Sequence, residues 1–174
     1  MLPHATLVLC LLTLASALSS AAEGPCDLLV AAGNPCVAAH STVRALYGTY
    51  VGHLYQVARP DNSTADIGVL EAGGFADIAA HEKFCAAGDC VIKTIYDQSP
   101  QGNHLVQRIS CVATQGCETH KMVNASKHKI AVRGGLNVYG MWFDPGYGYH
   151  VDNTTGVPKG NDPESIYAVM SGKR

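Results

Sequence analysis

Charge is scarce in this 174-residue chain: Asp, Glu, Lys and Arg make up 15% of it, and the formal net charge is only -2. Too little basic surface remains for a phosphate backbone or an acidic bilayer, so neither nucleic acid nor membrane is expected as a partner. Tryptophan occurs once and phenylalanine three times. No internal repeat, low-complexity linker, Gly-x-Ser-x-Gly elbow or adjacent Cys-Cys pair is present, which removes the usual sequence mark of a Ser-based hydrolytic triad. The one apolar run, residues 5–18, is short and interrupted by Thr and Ser, against a transmembrane span. Only His4 precedes it in place of Lys or Arg, yet it passes into the small residues Ser19-Ser20-Ala21-Ala22. Residues 1–22 are therefore expected to be a secretory signal peptide cleaved after Ala22, placing the mature protein outside the cell.

Cysteine is plentiful by contrast. Removing Cys10 with the signal leaves Cys26, Cys36, Cys85, Cys90, Cys111 and Cys117. Six cysteines allow 15 connectivities in general, but these fall into three sequence-local couples, and neighbours close loops most cheaply. Cys26 with Cys36, Cys85 with Cys90, and Cys111 with Cys117 are the expected pairs. Each small loop contributes about 2–3 kcal/mol on a chain-entropy account, bracing corners without defining topology. Cys111, Cys117, His120 and His128 also form a conceivable zinc set, but the spacing is unlike Cys-x2-4-Cys and an oxidising compartment favours the disulfide. No metal or cofactor is expected.

Asn34-Pro35 followed by Ala39, Val43, Leu46, Tyr47 and Tyr50 at helical spacing predicts an amphipathic helix, with His40 and Arg44 on its solvated face. Residues 74–84 predict a second short helix. Strands are predicted at 54–58, 91–96, 136–143 and 166–170, separated by Asn, Asp, Gly and Pro clusters. Pro100 forces a turn at Asp97-Gln98-Ser99 after the strand at 91–96. Eighteen glycines and eight tyrosines fit a turn-rich β protein whose rings could face sugars, although a tyrosine is equally well placed half-buried at a core edge. Three sequons, at Asn62, Asn124 and Asn153, mark exposed loops open to N-glycosylation.

Three blocks carry a resemblance: GPCDLLVAAGNPCVAAHSTVRALYGTYVGHLYQVAR at 24–59, FCAAGDCVIKTIYDQSPQGNHL at 84–105, and GLNVYGMWFDPGYGYH at 135–150. Residues 23–172 resemble the N-terminal part of the catalytic domain of fungal-type α-L-arabinofuranosidase B, glycoside hydrolase family 54, with 173–174 a tail outside the pattern. The resemblance implies a mainly β, concanavalin-like β-sandwich, incomplete in this chain, with two short helices. It maps the family's first two disulfides onto Cys26 with Cys36 and Cys85 with Cys90, while Cys111 and Cys117 fall where the pattern departs. It further implies hydrolysis of terminal α-L-arabinofuranosyl residues of plant cell-wall arabinoxylan and arabinan with retention, by a monomer. The family's nucleophile Glu, acid/base Asp and Cys-Cys pair all follow the strand matching SIYAVMSG, beyond Arg174. No catalytic role therefore transfers to a residue present here, and the chain as written is expected to be inactive alone; the non-catalytic alternative is a secreted lectin-like fragment. Among the acids that are present, Asp97 is the best placed, but an Asp at such a turn ordinarily bonds its own backbone. Asp144 before Pro145 reads the same way, and Asp27, Asp66 and Asp77 show no pairing pattern.

Overall fold

A computed structural model describes residues 22–112 and 116–171. The expected signal segment, apart from Ala22, and the 173–174 tail lie outside the described residues. In chain order the elements are α1 (Pro25–Ala31), β1 (His53–Ala58), β2 (Thr64–Gly68), α2 (Ile78–Cys85), β3 (Val91–Ile95), β4 (Leu105–Gln107), β5 (Ile109–Val112), β6 (Gly116–Thr119), β7 (Lys129–Ala131), β8 (Asn137–Tyr139) and β9 (Tyr149–His150). A five-stranded antiparallel sheet in the order β2-β1-β3-β4-β9 organises them, with β5-β6 and β7-β8 as separate hairpins. The protein is mainly β, as its composition of strand formers and turn residues predicts.

Register assigns the two faces of the sheet. Tyr55 pairs with Ile67 and Ile95, Ile95 with Leu105, and Val57 with Ile92, so these side chains share one face. There they form the core with Ala76 and Cys85 beside α2 and Val138 on β8. Gln56 pairs with Asp66 and Thr94, Thr94 with Val106, and Val106 with His150, which puts a mostly polar row on the other face. Burying the aliphatic set on one side fixes register, because a one-residue slip would turn every side chain over. Disulfides join Cys26 to Cys36, Cys85 to Cys90 and Cys111 to Cys117, the couples expected from the sequence. No helix of the described residues is long and apolar enough to cross a membrane.

Two expected elements are absent and two are shortened; the helix expected at 74–84 begins only at Ile78, after its Asp77 cap. The helix expected from Asn34-Pro35 to Tyr50 does not form, because its backbone N–H groups find partners far away in sequence: Ala39 donates to Asp97, Ala45 to the Gly74 carbonyl, Leu46 to Gln98 and Gly48 to Asp27. His40 and Arg44 are accordingly half-buried and bonded, not on a solvated helix face; His40 Nε2 bonds the Asn103 carbonyl (2.7 Å), and Arg44 donates to Gly73 over the Phe75 ring. The first helix is α1 instead, with Pro25 at its first turn and the Asp27 carboxylate returning to the Gly24 N–H (2.7 Å). Gly24 is required there, since a Cβ would stand 2.2 Å from the Leu46 carbonyl oxygen. The 136–143 strand shrinks to Asn137–Tyr139, whose last carbonyl accepts the Thr42 hydroxyl (3.0 Å). Residues 166–170 form no strand and remain exposed.

Candidate functional site

The DQS corner at the end of β3 is the most densely bonded place in the described residues. Asp97 Oδ1 accepts the N–H groups of Ala39 (2.7 Å) and Ser99 (2.8 Å), while Oδ2 accepts the Ser99 hydroxyl (2.7 Å) and the Asn103 N–H (2.8 Å). Both carboxylate oxygens are thus occupied in a buried setting, where such charge-assisted bonds are strongest. Gln98 extends the hub to Leu46 (2.6 Å) and the Arg44 carbonyl, and Asn103 Nδ2 reaches the carbonyls of Val37 and Thr155. Asp97 fastens Ala39, Gln98 holds Arg44 and Leu46, and Asn103, itself bonded to Asp97, holds Val37 and Thr155, so the corner as a whole anchors residues 37–46 and 155 to the sheet. A catalytic carboxylate needs an oxygen free to attack or to exchange a proton, and Asp97 has none.

The remaining acids singled out by sequence divide the same way. Asp27 serves Gly24 and Gly48, Asp77 caps α2 through the Ala80 N–H, and Asp144 accepts from the Trp142 indole. Asp66, like Asp144, is exposed, and it stands on the outer sheet face. Its contacts are the Gln56 amide (2.9 Å), the Tyr96 hydroxyl (2.5 Å) and the more distant His53 Nδ1 (3.8 Å). Burial and the bond to Asp66 both push the Tyr96 phenol up. A retaining glycosidase requires two carboxyl groups about 5–5.5 Å apart; the partners of Asp66 are an amide, a phenol and an imidazole.

Two concave places lie on the surface, the first of them on this face. A trough of about 470 Å³ lies beside the β1-β2 turn, with Ala58, Pro60, Val91, Val106 and Met122 forming apolar wall and Asn62 at its edge. A second cleft of about 450 Å³ opens between Tyr47, Tyr50, Val51 and the Gln98-Ser99-Pro100 turn. Among the sequons, Asn62 and Asn153 are exposed, whereas Asn124 is half-buried with its Oδ1 accepting the Ser126 N–H (2.9 Å). Among the described residues no group of three or more His, Cys, Asp or Glu side chains could hold a metal ion.

Sequence reasoning missed His81. It is fully buried on α2, stacked on Tyr139 at 4.5 Å, and hydrogen-bonded through Nδ1 to the Tyr55 hydroxyl (2.8 Å), while Nε2 has no partner. Burial lowers its pKa to about 4. The Tyr139 hydroxyl bonds Glu82, which pairs with Lys129 at 2.6 Å, so His81 sits where α2, β1 and the β7-β8 hairpin meet.

A family model described as "Alpha-L-arabinofuranosidase B, catalytic" matches residues 25–174. The chain belongs to the α-L-arabinofuranosidase B catalytic family. It is 45% identical over 157 residues to the probable α-L-arabinofuranosidase B of Aspergillus flavus and, over the same length, to the α-L-arabinofuranosidase B of Aspergillus oryzae; each alignment covers 88% of this chain and 31% of the relative. Two solved structures superpose on it: a family 54 α-L-arabinofuranosidase soaked with a cyclic sulfate inhibitor, at TM-score 0.72 and 42% identity, and an arabinofuranosidase complexed with arabinofuranosyl-alpha-1,2-xylobiose, at 0.71 and 41%. Both comparisons cover 78% of this chain and 29% of the other. The chain thus spans about 31% of the length of the curated relatives it matches. Within this glycoside hydrolase family, the described residues contribute the corner, the five-stranded sheet and its disulfide-braced loops.

Proposed function

We propose that this chain is the scaffold part of a secreted, monomeric retaining α-L-arabinofuranosidase that acts on arabinoxylan and arabinan. Family membership supports the reaction, and the relative bound to arabinofuranosyl-alpha-1,2-xylobiose supports the substrate class. The observation that carries the scaffold assignment is the saturation of Asp97 by four donors. Asp27, Asp77 and Asp144 are also bound locally; on this reading the nucleophile and the acid/base come from outside the described residues, and the chain as written does not hydrolyse glycosides. A second reading, a lectin-like binder, draws on exposed Asp66 with the half-buried Tyr96 and Gln56 beside it, where a phenol, a carboxylate and an amide lie within reach of one sugar. Release of arabinose from an aryl α-L-arabinofuranoside and retention of arabinoxylan on native affinity gels, measured on the same sample, separate the two: binding without release supports the lectin-like reading for this chain.

A further inference from the structure

We propose that Asn62 carries an N-linked glycan whose first N-acetylglucosamine packs into the trough beside the β1-β2 turn. Asn62 closes that turn in the left-handed region, φ 66°, which Asn adopts more readily than other residues with side chains. The turn is held by Arg59 N–H to the Ser63 carbonyl (3.0 Å), Asn62 N–H to the Arg59 carbonyl (3.0 Å) and Asp61 Oδ1 to both the N–H and the hydroxyl of Ser63. Its own side-chain amide is exposed and has no hydrogen-bond partner among the described residues. Thr64, whose hydroxyl completes the acceptor sequence, is exposed as well. A rigid stem therefore presents a free amide nitrogen at the rim of a concavity that it helps to line.

The trough suits that sugar. Pro60, Val91, Val106 and Met122 offer an apolar surface for the C–H face of the ring and the acetyl methyl, while Thr94, Lys93, Asp89 and the Gln107 amide oxygen, whose Nε2 is held by the His120 carbonyl, lie alongside as hydrogen-bond partners for the acetamide and hydroxyls. Val106 stands 45% exposed on the outer face, and covering such a side chain is favourable. The other sequons lack this arrangement. Asn124 has its amide oxygen committed to the Ser126 N–H and its chain in a bridge to Val91, and Asn153 borders neither concavity.

In the attachment step, Asn62 Nδ2 bonds to the sugar C1 as the bond from C1 to a lipid pyrophosphate carrier breaks. The pyrophosphate departs on the lipid, and the amide loses one proton. This proposal rests on the reading that the protein enters the secretory route.

The test expresses the full chain in a eukaryotic secretory host in two versions, one with its own residues 1–22 and one with the host's leader fused before Glu23. Retention of only the first version inside the cell defeats the secretion reading, while the second still reports on Asn62. Glycopeptide mass spectrometry is expected to find the Asn62 peptide modified. After trimming to a single N-acetylglucosamine, through-space magnetisation transfer is expected from the acetyl methyl to the methyl groups of Val106 and Met122. Thr64→Ala, which removes the acceptor sequence and keeps Asn62 in its left-handed turn, is expected to lower Tm by about 2–4 °C. Val106→Lys is expected to keep the glycan yet abolish the Tm difference between trimmed and fully deglycosylated protein. An unmodified Asn62, or a modified one with no acetyl contact and no Tm difference, overturns the proposal.

Discussion

Two stretches of similar β-branched and aromatic content end in opposite states. Ile92 and Ile95 in β3 are 1% and 5% exposed, whereas Ile166, Val169 and Met170 are 86%, 84% and 85% exposed. The first stretch has β1 on one side, β4 on the other, and the Asp97 hub at its end. The second has no strand beside it among the described residues. Strand propensity is largely a measure of fit to a pleated, half-buried surface, so a strand-forming sequence without such a surface does not become a strand. The anchor matters as much as the ladder: four donors drawn from residues as distant as Ala39 converge on one carboxylate.

Asp97→Ala should break that comparison most severely. Four donors would be left facing a cavity, a loss of about 4 kcal/mol given the strength of bonds to a buried charge, read as a fall in the urea midpoint at unchanged m-value. The same substitution at Asp66, exposed and outside the hub, should leave the midpoint nearly where it was.

Acidification should weaken the buried half next. His81 has a folded pKa near 4 against an ordinary 6.5, so the unfolded chain takes up the proton first as pH falls. Its contribution is complete above pH 6.5, declines between 6.5 and 4, and levels off below; the total is about 3 kcal/mol. Stability measured across this window should rise with pH, and His81→Phe should remove most of that slope.

Much of this was legible in the sequence, for identifiable reasons. The cysteine couples are local, so chain proximity sufficed to pair them, and the β3 strand and its acidic corner lie within one continuous block. The helix expected from Ala39 to Tyr50 was not, because apolar spacing alone does not reveal that Ala39, Ala45 and Leu46 send their N–H groups to residues 97, 74 and 98. The α1 helix did have a signal in Pro25 and Asp27, both in its first turn. His81 was out of reach, since its burial depends on Tyr55 and Tyr139 arriving from two different strands.

Replacing Cys85 and Cys90 together by Ser should cost about 2 kcal/mol through the lost loop constraint, measured as a lower Tm than the parent under non-reducing conditions and an equal one after reduction. The smallest effect belongs to the exposed stretch: Ile166→Ser should shift stability by less than about 0.5 kcal/mol, and a larger loss would mean that residues 166–170 pack against something in solution.

The claim that residues 22–171 are scaffold and do not contain the reacting carboxylates is tested most directly by assaying the purified, soluble chain on an aryl α-L-arabinofuranoside beside a full-length family member. The account predicts turnover by the relative and none by this chain. Turnover by this chain at a comparable rate, lost in a folded Asp97→Asn variant, would contradict it.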